Sequence, residues 1–421
     1  MSGLLLKIVY LIEILIVRHF VFLQGMPCDF FRSVGEVLER HGQRVSRINL
    51  SFGDWLYWHG KNAMNFRGCR KEWPDFLKNY IVNYGVTDLV LLGEQRKYHK
   101  EAVVLAKNLG VRVMATDFGY FRPDWITLEP NGMGGNSTMP KNPEDIMFLA
   151  RDIPSIDFAK KYQDSGWRMS VGDLVASLGD ALLSVLFPHY EISVERPHPF
   201  VYFPAMGRSL LLAKLRTKKV TKMLCELQKN NSPYFVFPLQ LDHDFQIRAY
   251  SPYPGMTAAI DEVLASFASH APKNFNLWVR VHPWDPGLIN WKVHIHQTAH
   301  RWGIQDRVHY LEGGDLDGMM AGAEGVVTVN STSGLKALQL GRPVKVLGQA
   351  VYDVRGLTHS GGLDAFWTEG VASDPQLLDA FVKLLVHRTQ IRGVFFHPEG
   401  RRVAVEQFVQ RLLVKAASPD A

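Results

Sequence analysis

Gly325-Val-Val-Thr-Val-Asn-Ser-Thr-Ser-Gly-Leu-Lys-Ala-Leu-Gln-Leu-Gly-Arg-Pro-Val-Lys-Val-Leu-Gly348 spells out one complete α/β unit. Val326 to Val329 is a β-branched apolar run, which predicts a buried parallel strand. Asn330 to Gly334 is a turn of small polar residues. Leu335, Leu338 and Leu340 follow at helical spacing, and Gly341-Arg342-Pro343 stops the helix. Val344 to Leu347 is the next strand. The turn therefore sits at the carboxyl end of a strand, where ligands bind in open parallel sheets. Ser331, Thr332 and Ser333 offer hydroxyls, and the helix start offers free N–H groups and a positive dipole end. A phosphate would be stabilised there. A plain helix cap uses the same letters, and the stretch alone leaves both readings open.

The second half repeats the pattern. Tyr234 to Pro238 is a predicted strand whose end carries Leu239-Gln240-Leu241-Asp242-His243-Asp244. Asn276 to Val281 ends in His282-Pro283, and Val308 to Leu311 in Glu312-Gly-Gly-Asp315. Parallel strand ends share one edge of a sheet. Three polar clusters on one edge, Asp242-His243-Asp244, His282 and Ser331 to Ser333, predict a binding or catalytic cleft rather than a set of caps. Asp242, His243, Asp244 and His282 are metal-ligand types, but no close-spaced ligand motif joins them, so no metal is expected.

The first half opens on His19 to Leu23, then Gln24-Gly25-Met26-Pro27, a helix over Phe30 to His41, and a strand over Val45 to Asn49. This is a βαβ start without the G-x-G-x-x-G of a dinucleotide site; Gly25 predicts close approach of a substrate to the backbone. Gly53 to Trp58 reads as an aromatic loop around Asp54, suited to sugar or lipid contact or to plugging the core. Asp88 to Leu92, the loop Gly93 to His99 and a helix from Glu101 to Leu109 follow, then a strand over Val111 to Ala115. Asp117 falls at the end of that strand. Residues 143–228 read as mostly helical, with Lys229 to Pro233 as a linker. Leu377 to His387 and Val403 to Val414 close the chain as helices. The expected domains are 18–229 and 230–395, with an extra apolar segment at 1–17 and a C-terminal helix at 396–421.

The net charge of +6 over 421 residues points to an anionic partner. No Lys/Arg-dense run supports nucleic-acid binding. Cys28, Cys69 and Cys225 fit neither a disulfide framework nor a zinc site, which suits a reducing, cytoplasmic compartment. Leu4 to Val17 is apolar, but Lys7 and Glu13 interrupt it. It is too short to span a bilayer and lacks a signal-peptide cleavage pattern. An interfacial helix, a packed extra helix and sequence upstream of the true start are the readings it allows.

Several of these stretches, in order, resemble the KpsS/LipB group of capsule polysaccharide proteins. They are Leu23-Gln-Gly-Met-Pro27, Gly53-Asp-Trp55, Gly119-Tyr-Phe-Arg-Pro-Asp-Trp-Ile-Thr-Leu-Glu129, Pro238-Leu-Gln-Leu-Asp-His-Asp244, His282-Pro283, Val329-Asn-Ser-Thr-Ser-Gly334 and Pro343-Val-Lys-Val-Leu-Gly348. The resemblance implies a retaining β-Kdo glycosyltransferase with CMP-Kdo as donor, built as two Rossmann-like domains facing a cleft, a GT-B-like variant. It implies a lysophosphatidylglycerol-type acceptor at the cytoplasmic face of the inner membrane, peripheral attachment there, and other capsule assembly proteins as partners. By the same resemblance, Asp244 is the nucleophile, and Asp117 is the acid/base where relatives carry Glu. Gln240, His282, Pro283 and Asn330 to Ser333 bind the donor, the last four with His282-Pro283 at its phosphate. Gly25, Asp54, Arg96, His99, Tyr120 and Arg122 fall on the acceptor side. A transferase using another sugar nucleotide, or a non-catalytic export scaffold, would share the architecture.

Overall fold

The computed structural model describes residues 17–192, 197–229 and 232–414. The apolar stretch Leu4 to Val17 lies outside them except for Val17, as do Asn230 and Asn231 of the expected linker. Among the described residues, no helix is long and apolar enough to cross a membrane. The three cysteines form no disulfide.

The chain divides into two compact units. One holds residues 1–138, 157–193 and 388–421, the other 139–156 and 194–387. The linear division at 229 and 395 therefore meets a more interleaved chain: residues 139–156 join the second unit, and everything from 388 onward returns to the first.

The strands of the first unit are β1 (His19–Phe22), β2 (Arg44–Asn49), β3 (Ala63–Asn65), β4 (Asp88–Leu92), β5 (Arg112–Phe118) and β6 (Trp125–Pro130). A late strand, Gln390–Arg392, pairs antiparallel with β6, and β6 pairs antiparallel with β5. The rest is parallel in the order β3-β2-β1-β4-β5. That is the doubly wound Rossmann order, with its switch point between β1 and β4. β1 and β4 are buried along their whole length, as expected of strands covered by helices on both faces. The helix Phe30–Arg40 turns Phe30, Phe31, Val34 and Leu38 inward. Phe30 meets Phe395 edge-on at 4.9 Å and Phe408 at 5.4 Å. The C-terminal helix Pro398–Leu413 is thus part of this core, not an appendage.

The second unit is an all-parallel sheet of β7 (Tyr234–Pro238), β8 (Asn276–Arg280), β9 (Val308–Leu311), β10 (Gly325–Thr328) and β11 (Val344–Val346). Its order, β11-β10-β7-β8-β9, is the same winding, with the switch point between β7 and β10. The α/β class and the two Rossmann-like sheets expected from the sequence are both present.

One expected loop is a helix. Phe52–Tyr57 is helical because Ser51 Oγ accepts the Asp54 N–H at 3.3 Å, capping the first turn. The antiparallel β6 and the three-residue β3 and late strand were not expected. The two three-residue strands carry too few residues to show a period.

Candidate functional site

In the second unit the polar residues collect where the sequence puts them, beyond the carboxyl ends of β7, β8 and β10. Gln240 follows β7 and Asn330 follows β10, the two strands flanking the switch point. They bond to each other: Gln240 Nε2 donates to Asn330 Oδ1 at 2.9 Å, and the Asn330 N–H donates to Gln240 Oε1 at 3.1 Å. Asn330 Nδ2 also donates to Gln246 O at 2.7 Å.

The serine turn is a helix cap and more. Ser331 Oγ accepts the Ser333 N–H at 3.2 Å at the start of the helix Thr332–Gln339. The Ser331 N–H is held by Thr328 Oγ1 at 3.2 Å, and its carbonyl accepts from the Tyr352 hydroxyl. Ser333 Oγ is buried and finds no hydrogen-bond partner among the described residues. A buried hydroxyl at a helix N-terminus, beside a turn pinned on both sides, is an arrangement that an anion would complete. Tyr352 and Thr328 were missed in the sequence. The signal for Tyr352 was Gly334: a Cβ there would lie 2.2 Å from the Tyr352 hydroxyl.

His282 Nδ1 accepts the Trp284 N–H at 3.1 Å, so in the neutral ring Nε2 carries the proton and can donate. Pro283 is exposed. Asp285 Oδ2 accepts from Trp291 Nε1 at 2.9 Å and its Oδ1 from the Gly287 N–H at 2.7 Å, which fixes the loop that presents His282. Asp242 and Asp244 both cap helices. Asp242 Oδ1 accepts the Met256 N–H at 2.9 Å, and Asp244 Oδ1 accepts the Gln246 N–H at 3.0 Å. Among the described residues, no group of three or more His, Cys, Asp or Glu side chains is arranged to hold a metal ion.

In the first unit the candidates separate into two sets. Asp117 lies inside β5, paired with Thr127 of β6, rather than beyond a strand end. Burial pushes its carboxyl above the usual range, against the Phe118 N–H at 2.7 Å and the charges of Arg96 and Arg122. Arg122 is exposed, its guanidinium 5.0 Å above the Phe118 ring. Tyr120 donates to Glu129 Oε1 at 2.7 Å and takes the Gly134 N–H at 2.9 Å, while its own N–H reaches Gln390 Oε1 at 2.9 Å. Asp117, Arg96, Arg122 and Tyr120 thus belong to one neighbourhood, the loop after β4 and the β5–β6 hairpin. Glu129, which the sequence offered only as the end of a motif, is the buried acid beneath it.

The other set is internal. Asp54 is buried; its Oδ1 accepts from Arg47 at 2.9 Å and its Oδ2 accepts the Leu50 N–H at 3.0 Å. Arg47 in turn bonds Asn49 Oδ1 at 2.9 Å and the Leu23 carbonyl. Asp54 thus locks the turn after β2 to the end of β1. Gly25 is also required by packing. The Phe31 ring sits 2.6 Å from where a Cβ would be. His99 is fully buried and donates from Nδ1 to Leu92 O at 2.9 Å. Burial, then the charge of Arg96, lowers its pKa to about 3, so it stays neutral.

Two sheets of Rossmann order, one with a capped serine turn at its switch point, define a doubly wound α/β protein of two units. The chain belongs to the capsule polysaccharide biosynthesis protein family, whose model matches residues 87–396. It is 30% identical over 390 residues to the capsule polysaccharide export protein KpsS of Escherichia coli, covering 90% of this chain and 97% of that one. It is 28% identical over 395 residues to the capsule polysaccharide modification protein LipB of Neisseria meningitidis serogroup A, covering 90% and 92%. Among solved structures, KpsC of Thermosulfurimonas dismutans, a β-Kdo 2,7 transferase, aligns over 94% of this chain and 98% of its own, with 16% identity and a TM-score of 0.44.

Proposed function

We propose that this protein is a retaining β-Kdo glycosyltransferase that moves Kdo from CMP-Kdo to a lysophosphatidylglycerol-type lipid, starting the linker on which a capsule glycan is built. The observation that carries the reading is the Asn330–Ser333 turn at the switch point of the second sheet, in a member of a capsule biosynthesis family. The dipole end of its helix, the Ser333 hydroxyl and His282 Nε2 would stabilise the charge that grows on CMP as it leaves.

Retention follows from two displacements. The Asp244 carboxylate attacks the anomeric carbon, the bond to the CMP phosphate breaks, and a glycosyl–Asp244 ester forms. Asp117 then takes the proton of the acceptor hydroxyl as that oxygen attacks the ester-bound carbon and frees Asp244. Arg96 and Arg122 supply positive charge for an anionic headgroup, which suits the overall basic balance. The phosphate is served by the turn and His282, so a divalent metal is not required. The work is done at the cytoplasmic face of the inner membrane, with the protein attached peripherally.

The test is purified protein with CMP-Kdo generated in situ and a fluorescent lysophosphatidylglycerol, read by mass spectrometry. Addition of one Kdo is expected. Consumption of a UDP-sugar with no Kdo adduct would replace the donor, and no transfer from either donor would leave the scaffold reading in its place.

A further inference from the structure

The helix Pro199–Lys229 belongs to the second unit. One stripe of it meets the loops after β7, β8 and β9, three strands that lie side by side. Tyr202 meets the His243 ring edge-on at 5.7 Å, beyond β7. Ser209 Oγ donates to the Asp285 carbonyl at 3.0 Å, beyond β8. Arg216 Nε reaches Glu312 Oε2 at 3.1 Å, beyond β9. The three residues recur two helical turns apart and so share one face. Met206 and Val220 lie on the same stripe and are buried. A Cβ at Gly314, in the loop after β9, would lie 3.0 Å from Leu224 Cδ1 and 3.2 Å from Val220 Cγ1. A stripe that only packed would carry apolar side chains throughout. This one turns polar at Ser209 and Arg216.

A serine hydroxyl has one proton to give and can accept two bonds. Arg216 Nη1 donates to Ser209 Oγ at 3.1 Å, so the hydroxyl keeps its own proton for the Asp285 carbonyl. Ser209 is buried, and its bond ties the loop to an element 76 residues away. The bonds to the Asp285 carboxylate, from the Gly287 N–H and Trp291 Nε1, are local to the loop and the helix that follows it. The Asp285 N–H in turn donates to the His282 carbonyl at 3.0 Å. Glu312, Arg216, Ser209, Asp285 and His282 thus form one continuous chain of bonds. The side chains of Arg216 and Glu312 are 30% and 33% exposed, so as an ion pair they contribute little to stability. What the pair does is aim the Ser209 hydroxyl.

We infer that Ser209 and Arg216 are positioning residues for His282. Arg216, seated on Glu312, orients the Ser209 hydroxyl; the hydroxyl fixes the loop; and the loop sets where His282 Nε2 stands. The inference rests on the donor reading above and adds the residues that hold its histidine in place. Displacing a group at a reacting centre by about 1 Å can cost about 10²-fold, even when the change is made far from the chemistry.

The experiment is calorimetric titration of the full chain with CMP. The proteins are wild type, Ser209→Ala, Arg216→Met and His282→Asn, with the first two variants also combined with His282→Asn. Methionine keeps the stem of Arg216 and removes the guanidinium. Asparagine keeps an acceptor for the Trp284 N–H and lacks the Nε2 donor. Ser209→Ala and Arg216→Met are each expected to weaken CMP binding by about tenfold. In the His282→Asn background each should add little further loss, since residues of one hydrogen-bond network are not additive. Full, additive losses in that background overturn the inference and make the two residues general supports of the unit. Unchanged CMP affinity in both single variants overturns it as well. Arg216→Met, at a partly exposed position, decides the matter where Ser209→Ala folds poorly. Wild type that binds no CMP withdraws the donor reading and this inference together. CMP binding with the expected coupling, but no transfer of Kdo, would sink the transferase reading alone.

Discussion

Gln240 and Asn330 hold each other across the switch point of the second sheet, the side-chain amide of one to that of the other at 2.9 Å and the backbone of the second returning the bond at 3.1 Å. Through Asn330 Nδ2 and the Gln246 carbonyl, 2.7 Å apart, the pair also grips the short helix that Asp244 caps. Resemblance alone makes both residues donor ligands. Their geometry makes them the clasp between the serine turn and the loop of the proposed nucleophile.

Asn330→Ala should therefore cost both stability and donor binding. It leaves the buried Gln240 amide and the Gln246 carbonyl without their partner, a loss of about 1–3 kcal/mol per buried polar group left unsatisfied. A lower Tm together with a raised KM for CMP-Kdo is expected. A raised KM with unchanged Tm would instead mean that Asn330 serves the donor directly.

Gly334→Ala tests the seat of the turn. A Cβ there meets the Tyr352 hydroxyl at 2.2 Å, and that hydroxyl holds the Ser331 carbonyl. Tyr352 is itself buried, so it cannot swing aside. Overpacking of this kind costs about 1–3 kcal/mol. Calorimetric titration with CMP should show weakened binding; wild-type affinity would mean the turn is not the phosphate seat.

The architecture was legible because parallel strands buried on both faces read as apolar runs, and because polar residues at their ends stand out against those runs. β1, β4, β7 and β10 all announce themselves this way. What was not legible depends on which side chains meet in space, which the pattern along the chain does not show. Asp54 looks like a presented carboxylate until Arg47 is seen beside it. Gly25 looks like a site for close ligand approach until Phe31 fills the space. The return of residues 388–413 to the first unit rests on a three-residue strand and on Phe395 and Phe408 meeting Phe30, none of which carries a local signal.

Asp54→Ala is accordingly expected to behave as a folding mutation. It strands the buried Arg47 guanidinium, and breaking one side of a buried pair costs about 3–5 kcal/mol. Thermal unfolding should shift sharply downward, while material that remains folded at low temperature keeps its KM for both substrates. A raised acceptor KM without a stability change would return Asp54 to the acceptor site.

Glu129 should make stability depend on pH. Burial raises its carboxyl from 4.5 to about 7, with the bonds from Ser137 and Tyr120 pulling down and the charge of Glu94 pushing up. The folded state then holds a proton that the unfolded chain has released. Its contribution is present below about pH 4.5 and is lost as pH rises through about 7. Glu129→Gln cannot ionise and should remove that loss. The stability difference between variant and wild type, measured by urea unfolding, should grow in the variant's favour between about pH 5 and about pH 8. A difference independent of pH would show that Glu129 does not hold the proton.

The two acids at the end of β7 offer the sharpest test, because both are helix caps. Asp244 accepts from the Gln246 N–H at 3.0 Å and Asp242 from the Met256 N–H at 2.9 Å. Asp244→Ala would remove a cap, worth about 1 kcal/mol, together with any nucleophile, and so confound the two. Asp244→Asn separates them: an amide oxygen still accepts the Gln246 N–H, but an amide does not form the glycosyl ester. Asp244→Asn should therefore keep the wild-type Tm and CMP affinity while transfer falls by more than the roughly 10²–10⁴-fold typical of a lost general base. Asp117→Ala should fall within that smaller range, and Asp117→Glu should retain activity, since it keeps the carboxyl and adds one methylene of reach. Asp242→Asn should keep both cap and turnover. Full activity in Asp244→Asn, or a trapped Kdo adduct that peptide mass spectrometry maps to Asp242, would reduce Asp244 to a cap and move the chemistry to its neighbour.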